Sequence, residues 1–148
     1  MRGEHSVSIN RPALVIFDVI ADGTRNRTWQ QSVIEVSLHS GTGGLGTVWR
    51  QVVHGPAGKA ADADYRVTTH EPPGEYGFEV IAGPMRGTGL YTLTAGDDGE
   101  TVVTFEITLR PRGAMRVLTG FVLRQVVDEL ENLDHLRDLF GRSSAEGV

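Results

Sequence analysis

The apolar residues of this chain keep a period of two over most of its length and then switch to a period of three to four, and that switch leaves few folds open. Ile34, Val36 and Leu38 share one face, with Glu35, Ser37 and His39 opposite. Tyr65, Val67 and Thr69 alternate with Arg66, Thr68 and His70. Tyr76, Phe78 and Val80 repeat the pattern, as do Val103, Phe105, Ile107 and Leu109 against Thr104, Glu106 and Thr108. Such alternation marks strands with one face covered and one face wet. Arg110 to Gly113 stops it. Met115, Leu118, Val122, Val126, Leu130, Leu133, Leu136 and Phe140 then follow at helical spacing, a single stripe on one long helix. About 25 residues at 1.5 Å each make that helix roughly 37 Å long.

The segment ahead of the alternating region completes the plan. Ser6 to Asn10 reads as a short strand, and Pro12 suits the first position of a helix carrying Val15, Ile16, Val19 and Ile20. Asp22-Gly23 ends that helix, and Trp29 follows in a polar stretch with room for a second short one. HGPAGKAADA, Pro72-Pro73-Gly74 and GPMRGTG read as turn regions, and Gly96-Asp97-Asp98-Gly99 as a hairpin. The order predicts an α+β fold: one strand, one or two short helices, six meandering strands and a long helix. Only the last helix has a stripe long enough to cover an antiparallel sheet. Short turns and the absence of a linker predict one domain over residues 1–148, with a core at about 6–140 and a flexible tail at 141–148.

At 148 residues, such a chain buries roughly 70% of the surface its unfolded form exposes, enough for a real core. The absence of cysteine excludes disulfides, thiolate catalysis and cysteine-ligated metal. A net charge of −5 without a basic run disfavours a nucleic-acid partner. The N-terminal residues have no apolar signal region, and no stretch approaches a membrane span, so a cytoplasmic location is expected.

Gly41, Gly43 and Gly46 fit G-x-G-x-x-G, with Asp62 and Asp64 about where a dinucleotide site keeps its ribose-binding acid. That fingerprint works only between a strand and a helix, whose N-terminus holds the pyrophosphate. Here GTVWRQVV alternates after the loop, so the loop joins two strands. Its glycines then serve positive φ in a tight turn, and no nucleotide cofactor is expected. GPAGKA is no phosphate loop either, because Val53 and Ala60 stand where such a loop has Gly and Ser or Thr.

Catalytic candidates are few. The five histidines, His5, His39, His54, His70 and His135, form no zinc-ligand spacing, so no metal is expected. Alternation puts His39 and His70 on outer strand faces and His135 on the outer side of the helix. His54, at a strand end beside Gly55, is the remaining candidate acid–base group. Arg86, in a predicted turn, could meet an anionic ligand. The carboxylates read as solvation.

The chain resembles the START/polyketide-cyclase/pollen-allergen (helix-grip) superfamily, SRPBCC, over about residues 6–140. SVSINRPALVIFDVIADGTRNRTW is similar to its N-terminal strand, proline-started helix and tryptophan. GTGGLGT is similar to the glycine-rich hairpin of the pollen-allergen branch, and THEPPGEYGFEV to a strand–turn–strand of bacterial polyketide cyclase/dehydrase-like members. The resemblance implies a curved seven-stranded antiparallel sheet gripping the C-terminal helix around an apolar cavity, with two short helices after the first strand. It further implies a small hydrophobic ligand of lipid, polyketide or isoprenoid type, or alternatively a cyclase, aromatase or dehydratase acting in the same cavity; a homodimer is compatible with it.

Within that frame the inward positions are candidate ligand contacts. They are Trp49, Gln51, Tyr65, Tyr76 and Phe78 from the earlier strands, and Tyr91 and Phe105 from the later ones. Leu118 and Val122 join them from the helix, and Trp29 either lines the mouth or plugs it. Each competes with a plainer reading as core. Val48, Arg50 and Val52 could face inward instead of Trp49 and Gln51.

Overall fold

A computed structural model describes residues 1–146. Eight strands form one antiparallel sheet. They are β1 (Arg2–Ile9), β2 (Val33–Ser40), β3 (Val48–His54), β4 (Ala60–Asp62), β5 (Tyr65–Glu71), β6 (Glu75–Val80), β7 (Met85–Ala95) and β8 (Thr101–Pro111). Seven run in the order β1-β8-β7-β6-β5-β3-β2, and short β4 pairs with β3 off that path. Among the described residues three α-helices accompany the sheet: α1 (Ala13–Ala21), α2 (Asn26–Trp29) and α3 (Thr119–Glu146).

The elements follow from the sequence pattern with local corrections. Pro12 caps α1 from an extended conformation, which its fixed φ permits. Asp22 stops α1 and accepts the Thr24 amide at 3.0 Å, turning the chain into α2. The glycine loop joins β2 to β3, with Gly41, Gly43 and Gly46 all at positive φ, and the chain re-enters a strand at Val48. Buried Thr47 ties the loop down by accepting the Gly43 amide at 2.9 Å.

Four expectations change. The first strand begins at Arg2, not Ser6, because residues 2–9 pair fully with β8. HGPAGKAADA contains β4 rather than being turn throughout. GPMRGTG belongs largely to β7. Its glycines make room: a Cβ on Gly89 would fall 2.5 Å from the Phe78 ring and 2.9 Å from that of Phe105. The long helix starts at Thr119, after a 3-10 turn over Gly113–Val117, and runs six residues past Phe140, so 141–146 continue the helix. The rest of the expected tail, and the Met115 side chain, lie outside the described residues.

Helix α3 packs against β1 and β8. Val122, Val126, Leu133, Leu136 and Phe140 are buried there. The approach is close at Gly3, where a Cβ would fall 2.7 Å from Val126 and 2.9 Å from Leu130. The end of the helix is further tied by His5 and Asp134, 3.1 Å apart, and by Arg11, which donates to the Phe140 carbonyl at 3.0 Å. Its beginning is different: Leu123 and Val127 are exposed, as are Val117 and Leu118 just before it. No described helix is long and apolar enough to cross a membrane.

Candidate functional site

Between the inner face of the sheet, α1, α2 and the middle of α3 lies a cavity of about 90 Å³. Its aromatic wall comes from alternate residues of neighbouring strands: Tyr65 on β5, Tyr76 and Phe78 on β6, and Tyr91 on β7. Pairing sets them side by side, Val67 opposite Phe78 and Tyr76 opposite Tyr91. The rings meet edge to face or tilted, with Tyr65 and Phe78 centroids 5.5 Å apart at 63°, a preferred arrangement. Ile107 and Leu109 of β8, Ile20 of α1, and Val80 and Met85 add aliphatic surface.

One end carries a buried polar cluster. Asn26, at the start of α2, donates through Nδ2 to Gln51 Oε1 at 3.0 Å and to Tyr65 Oη at 2.8 Å. Gln51 is fixed in turn by Asp64, whose carboxylate accepts the Gln51 backbone N–H at 3.0 Å. Asp64 thus holds β3 in place. Tyr76 Oη is buried without a protein hydrogen-bond partner. Burial pushes the hydroxyls of Tyr65, Tyr76 and Tyr91 well above the ordinary phenol range, so all three remain protonated donors.

The opposite side is formed by Gln30 and Ser32, ahead of β2, and by Gln125 and Glu129 of α3. Glu129, like Asn26, is a site residue that the sequence reading passed over. Ser32 stands 3.5 Å from its Oε1, and Asn132 Nδ2 3.4 Å from its Oε2. Burial pushes its carboxyl up to about 7; the Ser32 contact pulls the other way, the neighbouring Asp128 adds to the rise, and Asn132 again opposes it. Its place was legible: residue 129 falls three after Val126 and four before Leu133, on the buried stripe.

The candidates sort into two groups. Gln51, Tyr65, Tyr76, Phe78 and Tyr91 line the cavity. Phe105 sits behind this wall, stacked on Tyr91 with centroids 4.2 Å apart and rings 11° from parallel. Trp29 is buried edge-on against Tyr91 at 6.0 Å, closing that side. Trp49 faces inward, as its alternation with exposed Arg50 requires, but lies flat on Gly23, where a Cβ would come within 2.5 Å of the indole. Val122 is packed under the sheet away from the cavity. Leu118, expected inward, is 41% exposed and precedes the helix, because the 3-10 turn shifts the start of the stripe.

Two histidines also move from their expected places, whereas His39 is exposed as expected. A break in the β5–β6 register between Val67 and Thr69 reverses the alternation, so His70 turns inward. It meets the Phe17 ring edge-on at 5.4 Å and Tyr76 at 6.3 Å. His135 is half-buried, with Nε2 3.3 Å from the Gln31 amide nitrogen. His54 is exposed and does not line the cavity. Arg86 donates to the Gly83 carbonyl at 2.9 Å and lies off the cavity too. Among the described residues no group of three or more His, Asp or Glu gathers as a metal centre would require.

The fold is shared with solved structures of low sequence identity. TTHA0849 from Thermus thermophilus is similar with a TM-score of 0.81 at 15% identity, over 97% of this chain and 99% of that one. Ara h 8.0201 is similar at 0.73 and 14%, over 95% and 97%. The Zhui aromatase/cyclase from Streptomyces sp. R1128 is similar at 0.70 and 19%, over 96% and 94%. No curated protein matches the chain in sequence. The family model described as polyketide cyclase / dehydrase and lipid transport matches residues 2–141, nearly the whole chain, and the protein belongs to that family.

Proposed function

We propose that the protein binds a small hydrophobic or aromatic molecule, of lipid, polyketide or isoprenoid type, in the cavity between the sheet and α3. The observation that carries this reading is a ring-lined cavity in which Tyr76 keeps a buried hydroxyl with no protein partner. Buried hydroxyls in solid cores are nearly always paired, whereas ligand sites are mostly apolar with a few placed polar groups. The volume of about 90 Å³ is smaller than the ~150 Å³ that holds a benzene ring in a rigid apolar core. A larger ligand therefore needs side chains to move. Gln30, Met85 and Gln125 are unbranched and line the cavity, so they can swing without disturbing the strands.

The test is titration with the neutral dye N-phenyl-1-naphthylamine. Saturable uptake that weakens in Phe78→Ala, with the fold retained, supports the reading. No saturable uptake by the parent protein withdraws it.

A second reading, a cyclase, aromatase or dehydratase acting in the same cavity, is favoured by Glu129. A carboxyl held near neutrality inside an apolar site is poised to take or give a proton. Turnover of a poly-β-ketone substrate, lost in Glu129→Gln, supports it. Turnover unchanged in that variant removes Glu129 from the chemistry.

A further inference from the structure

The cavity has a one-sided charge inventory. Glu129 lines it, and none of the residues around it is Lys, Arg or His. The groups placed near Glu129 or lining the cavity beside it are acidic or neutral: Asp128, Asn132 and Gln125 come from its own helix, Gln30 and Ser32 from the segment before β2, and Tyr91 from the sheet. Glu129 is also poorly satisfied. Its two contacts stand at 3.4 and 3.5 Å, whereas donors to a carboxylate usually approach to about 2.7–2.9 Å. A carboxyl so placed accepts a further donor readily and repels a second carboxylate.

We infer that the cavity selects ligands that present a neutral hydrogen-bond donor, a phenol or alcohol on an apolar frame, to Glu129, and that it excludes carboxylates such as free fatty or aromatic acids. This rests on the cavity being a ligand site. It adds the class of ligand that the site takes. The aromatic wall receives the frame, and the Asn26 cluster, with the Gln51 amide and Tyr65 hydroxyl as remaining donors, can hold a carbonyl at the far end.

The experiment compares 2-naphthol with 2-naphthoate, which differ in charge on the same ring system. Between pH 6 and 8 the naphthol is neutral and the naphthoate ionised, as expected from ordinary phenol and carboxyl values of about 10 and 4. At pH 8 the parent protein should bind naphthol at least about tenfold tighter, equivalent to ~1.4 kcal/mol. The gap should narrow at pH 6, where Glu129 gains its proton. In Glu129→Gln the pH 8 gap should shrink to the pH 6 value and lose its pH dependence. Gln125→Lys, which leaves Glu129 in place and adds a cation one turn earlier on the same wall, should raise naphthoate affinity at pH 8.

Equal affinities in the parent at pH 8, or a gap that persists in Glu129→Gln, overturns the inference. Uptake of N-phenyl-1-naphthylamine with neither naphthol nor naphthoate bound overturns it as well, while leaving the cavity a ligand site. No uptake of any of the three removes both.

Discussion

Replacing Glu129 by Gln should stabilise the protein at alkaline pH, although it removes a charged, hydrogen-bonded residue from a helix. In the folded state the carboxyl is raised from 4.5 to about 7, with burial the first cause. A group raised on folding binds more protons in the native state than in the unfolded one between those values. Stability therefore falls as pH rises from about 4.5 to about 7, and the loss is complete above that window. At ~1.36 kcal/mol per decade, the ionised carboxylate costs the fold roughly 3 kcal/mol at most. Glutamine keeps the shape and one acceptor oxygen without the charge. At pH 4, below both values, the carboxyl is largely protonated in the folded and unfolded states alike, and parent and variant should differ little. At pH 8.5 the variant should be more stable by about 1–3 kcal/mol, the lower figure allowing for relaxation around the site. Urea denaturation followed by tryptophan fluorescence reads this directly, because Trp29 and Trp49 are both buried in the native state. The other titrating groups are common to both proteins and cancel in the comparison. Parallel stability–pH curves for parent and variant would mean that Glu129 is well solvated, and the electrostatic account of the cavity would fall.

Four further substitutions probe the cavity wall and the packing of α3. Tyr76→Phe removes an unpartnered hydroxyl and should leave the melting temperature unchanged or raise it, whereas Tyr65→Phe strands an Asn26 N–H and should cost about 1–3 kcal/mol. Gly3→Ala pushes a methyl into Val126 and Leu130 and should cost about 1–3 kcal/mol, read from denaturant midpoints. Leu133→Ala, at a fully buried position, should cost about 2–5 kcal/mol; a loss below ~1 kcal/mol would mean that α3 is loosely attached.

What the sequence disclosed followed the range of the forces involved. The alternation and the helical stripe are local, and they placed the sheet, α3 and the five residues on the aromatic wall and at Gln51. Trp49 and Gln51 share their inward face because Arg50 between them is polar, although the flanking valines kept the opposite register open. The errors arose where a distant partner decides. The β5–β6 register break that turns His70 inward is a property of two strands, and the His70 strand alone shows nothing of it. Gly89 looked like turn punctuation because the rings that need its space, Phe78 and Phe105, come from other strands. Glu129 was a different failure. Its helical phase was readable, but its charge was taken as a sign of solvent, and the cavity that makes room for a half-buried carboxyl is tertiary.

The uneven attachment of α3 has a consequence in time rather than in space. The helix is a beam clamped at its far end by Leu133, Leu136, Phe140 and the Arg11 and Asp134 ties, whereas its first two turns are held mainly by Val122 and Val126, with Leu123 and Val127 exposed beside them. Opening free energies in such an element are graded along its length, lowest where few apolar contacts must break. Amide exchange should accordingly be fast near Leu123 and slow near Leu136. Gln125 and Glu129 sit where the bending part meets the clamped part, so the cavity wall they form has its own rate of opening. On the proposed reading of the cavity as a ligand site, that rate, more than the free volume at rest, sets how quickly a guest can enter or leave.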